Sequence, residues 1–177
     1  MSAASDAPIW RNGHFEAEEW TRLDPEAGSI AAGQALIVPF AAFLADSQRF
    51  LAHDGRLGVE VQAGEQVREL RPHLAKLSLI ALVFPAFSDG RSYSAARLLR
   101  ERLGYEGELR AVGDVLADQI PLMRRCGITS FEVKHGPTRA ALGAGRIAEM
   151  KHYYQPIPTA PAEAPAGTRP WLRQPAG

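Results

Sequence analysis

Residues 77–112 read LSLIALVFPAFSDGRSYSAARLLRERLGYEGELRAV, and the rhythm of this stretch decides the fold. The run 77–84 is continuously apolar, as expected of a strand buried on both faces. Residues 94–103 place Ala95, Leu98, Leu99 and Leu103 on one helical face, with Arg97, Arg100, Glu101 and Arg102 on the other. Gly104 follows in the position where helices commonly stop. Residues 108–112 return to strand character, so the whole stretch is a βαβ unit.

The same alternation extends in both directions. Upstream, 36–38 reads as a short extended segment ending at Pro39, because the residue before a proline avoids the helical region. Phe40, Phe43, Leu44, Phe50 and Leu51 then fit an amphipathic helix over 39–53, and 57–61 is β-like. Residues 65–74 have helical spacing, with Val67, Leu70 and Leu74 on one face. Downstream, 115–126 is helical by spacing and ends at Gly127, 130–134 is a strand, and 138–153 is a helix. Pro121 sets a choice within 115–126: either a helix begins near Asp114 and kinks, or it begins near Asp118 with Pro121 in its first turn.

This pattern predicts an α/β fold: a parallel sheet of about four βα units with right-handed crossovers. The units fit a half-barrel-like or an open doubly wound sheet, and their equivalence favours the half-barrel-like order. The single domain is expected over 36–154. Residues 1–35, with Trp10, Phe15 and Trp20 spread through polar sequence, read as an irregular lead-in. Residues 155–177 contain six prolines and no periodicity, which predicts a disordered or extended tail.

Composition narrows the function classes. Lys plus Arg and Asp plus Glu both number 20, so the net charge is zero, which argues against general binding to nucleic acid or anionic membranes. The lone Cys126 excludes an intramolecular disulfide, a CxxC redox pair and an all-cysteine iron–sulfur site within the chain. The N-terminal residues lack a basic and an apolar region, and residues 30–45 are too interrupted to span a membrane, so a cytoplasmic location is expected. His14, His53, His73, His135 and His152 show no ligand spacing, so no metal site is expected. Gly143-Ala144-Gly145-Arg146-Ile147-Ala148 matches GxGxxA but lies inside a helical stretch, with no preceding strand to make it a nucleotide loop.

Ligands of parallel α/β sheets sit beyond the carboxyl ends of the strands. The loops after 77–84 and 108–112 place Asp89, Arg91, Tyr93, Asp114, Asp118 and Gln119 on one expected rim. Arg91 has the planar donor fork that suits an oxyanion. Asp89 and Asp114 are the candidate acid–base residues. Tyr93, Asp118 and Gln119 are candidate substrate-binding residues. Asp89-Gly90 is also ordinary turn chemistry, and Arg91 could instead be a strut to Asp114 or Asp118.

Residues 84–133, above all the segments DGR-x-YS and GELRAVGDVL-x-DQ, resemble a bacterial domain-of-unknown-function family whose members are labelled as oxidoreductases of sulfite reduction. Ser92 departs from the glycine more frequent there. The resemblance implies a role beside the haemoprotein of assimilatory sulfite reductase, with a sulfur oxyanion or related metabolite as ligand. The sequence shows no flavin, nicotinamide, haem or iron–sulfur motif, so the cofactor is left unknown and an oxidoreductase of this sequence must borrow a redox carrier. The alternative is a non-catalytic accessory docking on the reductase through Trp10, Trp20 or the tail.

Overall fold

The structure is a computed structural model, and it describes residues 7–23 and 33–147. The expected tail over 155–177, and the expected helix beyond residue 147, lie outside the described residues.

Three strands open the chain: β1 (Ile9–Arg11), β2 (His14–Glu16) and β3 (Thr21–Arg22). Within the stretch expected to be irregular, the described residues 7–23 therefore contribute three short strands. Asn12 and Gly13 both have positive φ (51° and 87°), which is the two-residue hairpin turn whose twist matches that of its strands. Strands and helical segments then alternate: β4 (Leu36–Pro39), α1 (Phe40–Ala45), α2 (Ser47–Leu51), β5 (Leu57–Val61), a 3₁₀ segment (Val67–Lys76), β6 (Leu79–Phe84), α3 (Arg91–Arg97), β7 (Glu108–Gly113), α4 (Ile120–Arg125), β8 (Ser130–Glu132) and α5 (Gly136–Gly143).

Local chemistry explains where the helices depart from expectation. The helix expected over 39–53 divides at Asp46, whose carboxylate accepts the Arg49 N–H and caps α2. Pro72 lacks an N–H, and the segment around it is a 3₁₀ helix instead of the expected α-helix. The helix over 94–103 begins earlier, at Arg91, and closes with a wider π-type turn over Leu98–Arg102, where the Leu103 N–H donates to the Leu98 carbonyl. Pro121 sits in the first turn of a short α4, so the chain takes the late start and Asp114 stays on the loop.

The fold is mixed α/β, with one eight-stranded sheet in the order β2-β1-β8-β7-β6-β5-β4-β3. Strands β3 to β8 run parallel, and β1 lies antiparallel to both β8 and β2. The expected four βα units give way to this larger sheet, because the N-terminal strands extend it at both edges. Successive parallel strands are neighbours, with no reversal of order, which is the half-barrel-like arrangement.

The sheet is a curled half-barrel, and chain length dictates the curl. β2 and β3 form opposite edges, yet only residues 17–20 connect them. Seven inter-strand steps would separate the edges of a flat sheet by about 34 Å. A link of that length reaches at most about 18 Å. The edges must therefore approach one another, and the link crosses the open side of the curl.

The two faces differ. Leu36, Val38, Val59, Ile80, Leu82, Phe84, Leu109, Ala111 and Phe131 pack with helix residues Phe43, Leu70, Leu99 and Met123 in the main core. The other face, inside the curl, carries a smaller apolar cluster of Trp20, Ile37 and Leu79. Leu79 and Ala81 are fully buried, whereas Val83, nearer the carboxyl end, is only partly so. Registers align Glu60, Ala81, Arg110, Ser130 and Arg11 in one row across this inner face.

Arg110 is the centre of that row. Its guanidinium is 3% exposed and lies 2.6 Å from Glu18 on the β2–β3 link and 2.8 Å from Glu108. The Ser130 hydroxyl donates to Glu108 at 2.5 Å. Removing one partner from a buried ion pair strands the other. Arg110→Ala is expected to cost about 3–5 kcal/mol in a urea unfolding series. A loss below about 1 kcal/mol, the range of solvated surface pairs, would contradict the closed curl.

Candidate functional site

The carboxyl ends of the parallel strands carry two groups of charged residues, one on the rim and one inside the curl. The rim group was legible in the sequence. Asp89 and Arg91 sit between β6 and α3 and pair with each other. Arg91 Nε lies 3.0 Å from Asp89 Oδ1 and Nη2 lies 2.6 Å from Oδ2, while the Arg91 backbone N–H also donates to Oδ1. This is an Asx-type turn reinforced by a guanidinium. The guanidinium is 62% exposed and rests against Gly64, where any Cβ would meet Nη1 at 2.7 Å.

The other rim residues are placed differently. Tyr93 is half-buried, its ring edge-on to Phe84 at 5.0 Å. Burial, then the neighbouring Cys126 and Asp118, push its phenol pKa up. Gln119 is buried, and its amide donates to the Phe87 carbonyl at 3.4 Å, tying the β7–α4 loop to the β6–α3 loop. Asp118 is exposed, and Asp114 is partly buried. The Asp114 backbone N–H donates to the Phe84 carbonyl at 2.7 Å, fixing its turn against the end of β6. Gly113 precedes it with φ of +93°, and a Cβ there would collide with that carbonyl. Among the described residues, no hydrogen bond or ion pair joins the Asp114 or Asp118 side chain to Arg91. The strut reading for Arg91 is replaced by a local pair with Asp89.

Ser92 has a distinct role. Its buried hydroxyl donates to the Val83 carbonyl at 2.5 Å, so the serine fastens the start of α3 to the end of β6. Cys126 is buried and its thiol pKa is raised, first by burial, which suits a small core side chain better than a nucleophile.

The interior group emerges only from the curl. Arg22 at the end of β3 donates to Glu60 on β5 at 2.8 Å and to Glu132 on β8 at 2.5 Å. Lys134 lies 3.0 Å from the other Glu132 oxygen. Glu132 is fully buried, and Arg22 and Glu60 are each 22% exposed. Burial opposes the Arg22 charge, but Glu60 and Glu132 outweigh it and leave the pKa raised. The signal in the sequence is an acid or base at alternate positions of otherwise apolar strands: Glu60 in LGVEV, Arg110 in ELRAVG and Glu132 in SFE. Two cations face two carboxylates here, so the group has little net field for an anion. Among the described residues, no cluster of His, Cys, Asp and Glu could hold a metal ion, and no helix is long and apolar enough to cross a membrane.

Arg91, first through its guanidinium and then through its backbone N–H, lowers the Asp89 carboxyl to about 2. A depressed carboxyl pKa contributes stability that is complete above the ordinary carboxylate range and lost as pH falls through the folded value. A carboxyl-detected NMR titration should therefore place the Asp89 midpoint at about 2. Arg91→Ala should return it towards the ordinary aspartate value of 3.8. An unchanged midpoint in the variant would show that the pair does not persist in solution.

No curated protein matches this sequence. A family model described as "Bacterial protein of unknown function (DUF934)" matches residues 58–165, which spans β5 to β8, the Asp89–Arg91 rim and the interior carboxylates Glu60 and Glu132. That match covers more than half of the chain, and the protein belongs to this bacterial family of unknown function.

Proposed function

We propose that this protein is an accessory protein of assimilatory sulfite reduction that holds a small sulfur oxyanion at the carboxyl-end rim, with Arg91 as the binding residue. The pathway rests on the resemblance carried by residues 84–133. The rim rests on one observation, the orientation of the Arg91 fork. Asp89 occupies the Nε edge and one Nη2 donor. Guanidinium has five N–H donors, so the Nη1/Nη2 end keeps a bidentate pair suited to sulfite or sulfate. The Arg91 side chain is 62% exposed, which supports access for a small anion at that end, beside Gly64.

Within this reading Asp89 positions Arg91. A carboxyl held at about 2 stays ionised near neutrality, which suits orientation better than proton transfer. Asp114 remains the rim carboxylate available for acid–base work, with Tyr93, Asp118 and Gln119 beside the neighbouring loop. The chain supplies binding and positioning, and electron transfer belongs to the reductase haemoprotein.

A second reading, a non-catalytic accessory that docks on the reductase, cannot use the two tryptophans first expected, while the tail lies outside the described residues. Trp10 and Trp20 are buried at 3% and 5% exposure, so neither is available for docking. Phe87 and Leu122 are instead the exposed large apolar side chains among the described residues.

A strain lacking the protein should require a reduced sulfur source, and the wild-type chain should restore growth on sulfate. Arg91→Ala should fold with a nearly unchanged thermal midpoint, lose sulfite binding by calorimetry and fail to complement. Normal growth of the deletion strain on sulfate would sink the pathway. Full complementation by a folded Arg91→Ala chain would sink the rim.

A further inference from the structure

The zero net charge conceals a segregation that the fold creates. The acids of the strands point into the curl, where Glu60, Glu108 and Glu132 are paired with Arg22, Arg110 and Lys134. The helical layer has the opposite bias. In the crossovers from β5 to β8, Arg68, Arg71, Lys76, Arg97, Arg102 and Arg124 are all exposed. The helices of those crossovers contain only two acids, Glu69 and Glu101, and Glu101 is paired with Arg97.

Topology puts these cations on one surface. Consecutive right-handed crossovers between neighbouring parallel strands lie on the same side of the sheet. Helix residues from all three crossovers share one core with the outer sheet face, as Leu70, Leu99 and Met123 show. The 3₁₀ segment and the Leu98–Arg102 turn pack directly against each other.

Phe87 and Leu122 lie at the carboxyl end of this layer. Phe87 is 60% exposed and Leu122 is 49% exposed. Gln119 holds the Phe87 carbonyl through its amide, and Leu122 follows one turn later on α4.

We propose that this outer helical face is a docking surface for an acidic protein partner, with carboxylates set against the 3₁₀ segment and the Leu98–Arg102 turn and apolar side chains against Phe87 and Leu122. Charge complementarity selects the acidic partner. Exposed Phe87 and Leu122 at the carboxyl end of the same cationic layer select a protein over a polyanion, since protein interfaces combine apolar side chains with an arginine-rich, polar surround. The surface is independent of the oxyanion reading, and Arg91 takes no part in its test.

The test uses the full chain and three probes: a labelled glutamate-rich peptide containing leucine and tryptophan, single-stranded DNA, and phosphatidylserine vesicles. The charge reversal combines Arg68→Glu, Arg71→Glu and Arg102→Glu, all at exposed positions, and Phe87→Ser removes the apolar contact. Wild type should bind the peptide at least about tenfold more tightly than DNA or vesicles, with affinity falling as salt rises. The charge reversal should weaken peptide binding by at least about tenfold, and Phe87→Ser by several-fold. Sulfite binding should be unchanged in both variants, which separates this surface from the rim. Absent peptide binding, peptide binding unaffected by the charge reversal, or tighter binding to DNA or vesicles would each overturn the proposal.

Discussion

The ion pairs that cross the interior of the curled sheet are the constraint on which the rest of the structure depends. Arg22 on β3 reaches Glu132 on β8, and these strands are separated by four others in the sheet. Arg110 reaches Glu18 on the link that spans the open side. Neither contact is possible in a flat sheet. Both place charges where water is scarce, so each guanidinium needs its carboxylates and each carboxylate needs its guanidinium. The curl fixes the pairs, and the pairs in turn hold the link against the inner face.

This closure separates two chemistries that a sequence average merges. Inside, charged strand residues neutralise one another around Trp20, Ile37 and Leu79. Outside, the helices of the crossovers present mostly cations. The carboxyl-end rim lies between these regions, and there Asp89 aligns Arg91 within an otherwise ordinary turn. A ligand at the rim meets one oriented guanidinium, whereas a macromolecule meets the whole helical face. Small-molecule binding and docking therefore need not compete for the same side chains.

The rim pair is local: the sequence singled out both residues but not their pairing with each other, since a strut from Arg91 to Asp114 or Asp118 was the expected alternative. Asp89 and Arg91 are two residues apart, and a turn with those residues can form without help from the rest of the chain. Asp114, Asp118 and Gln119 needed tertiary geometry. Pro121 shifted the start of α4, exposed Asp118 and buried Gln119. The hairpin at Asn12-Gly13 was also locally encoded, because both residues tolerate positive φ. Its strands are only three residues long, too short for an alternation of polar and apolar residues to announce them.

By itself the sequence determined the parallel succession from β4 to β8, because unbroken apolar strands alternating with amphipathic segments have few other ways to bury their faces. It also determined the Asp89-Gly90-Arg91 turn and the stop at Gly127. Only the tertiary structure decided that residues 7–23 complete an eight-stranded sheet, that Trp10 and Trp20 are core, and that Glu60, Arg110 and Glu132 are interior. Those outcomes depend on pairings between distant segments, such as Ile9 with Glu132 and Arg22 with Ile37. A strand residue shows its polarity in the sequence, but which face is enclosed is set by how tightly the finished sheet curls.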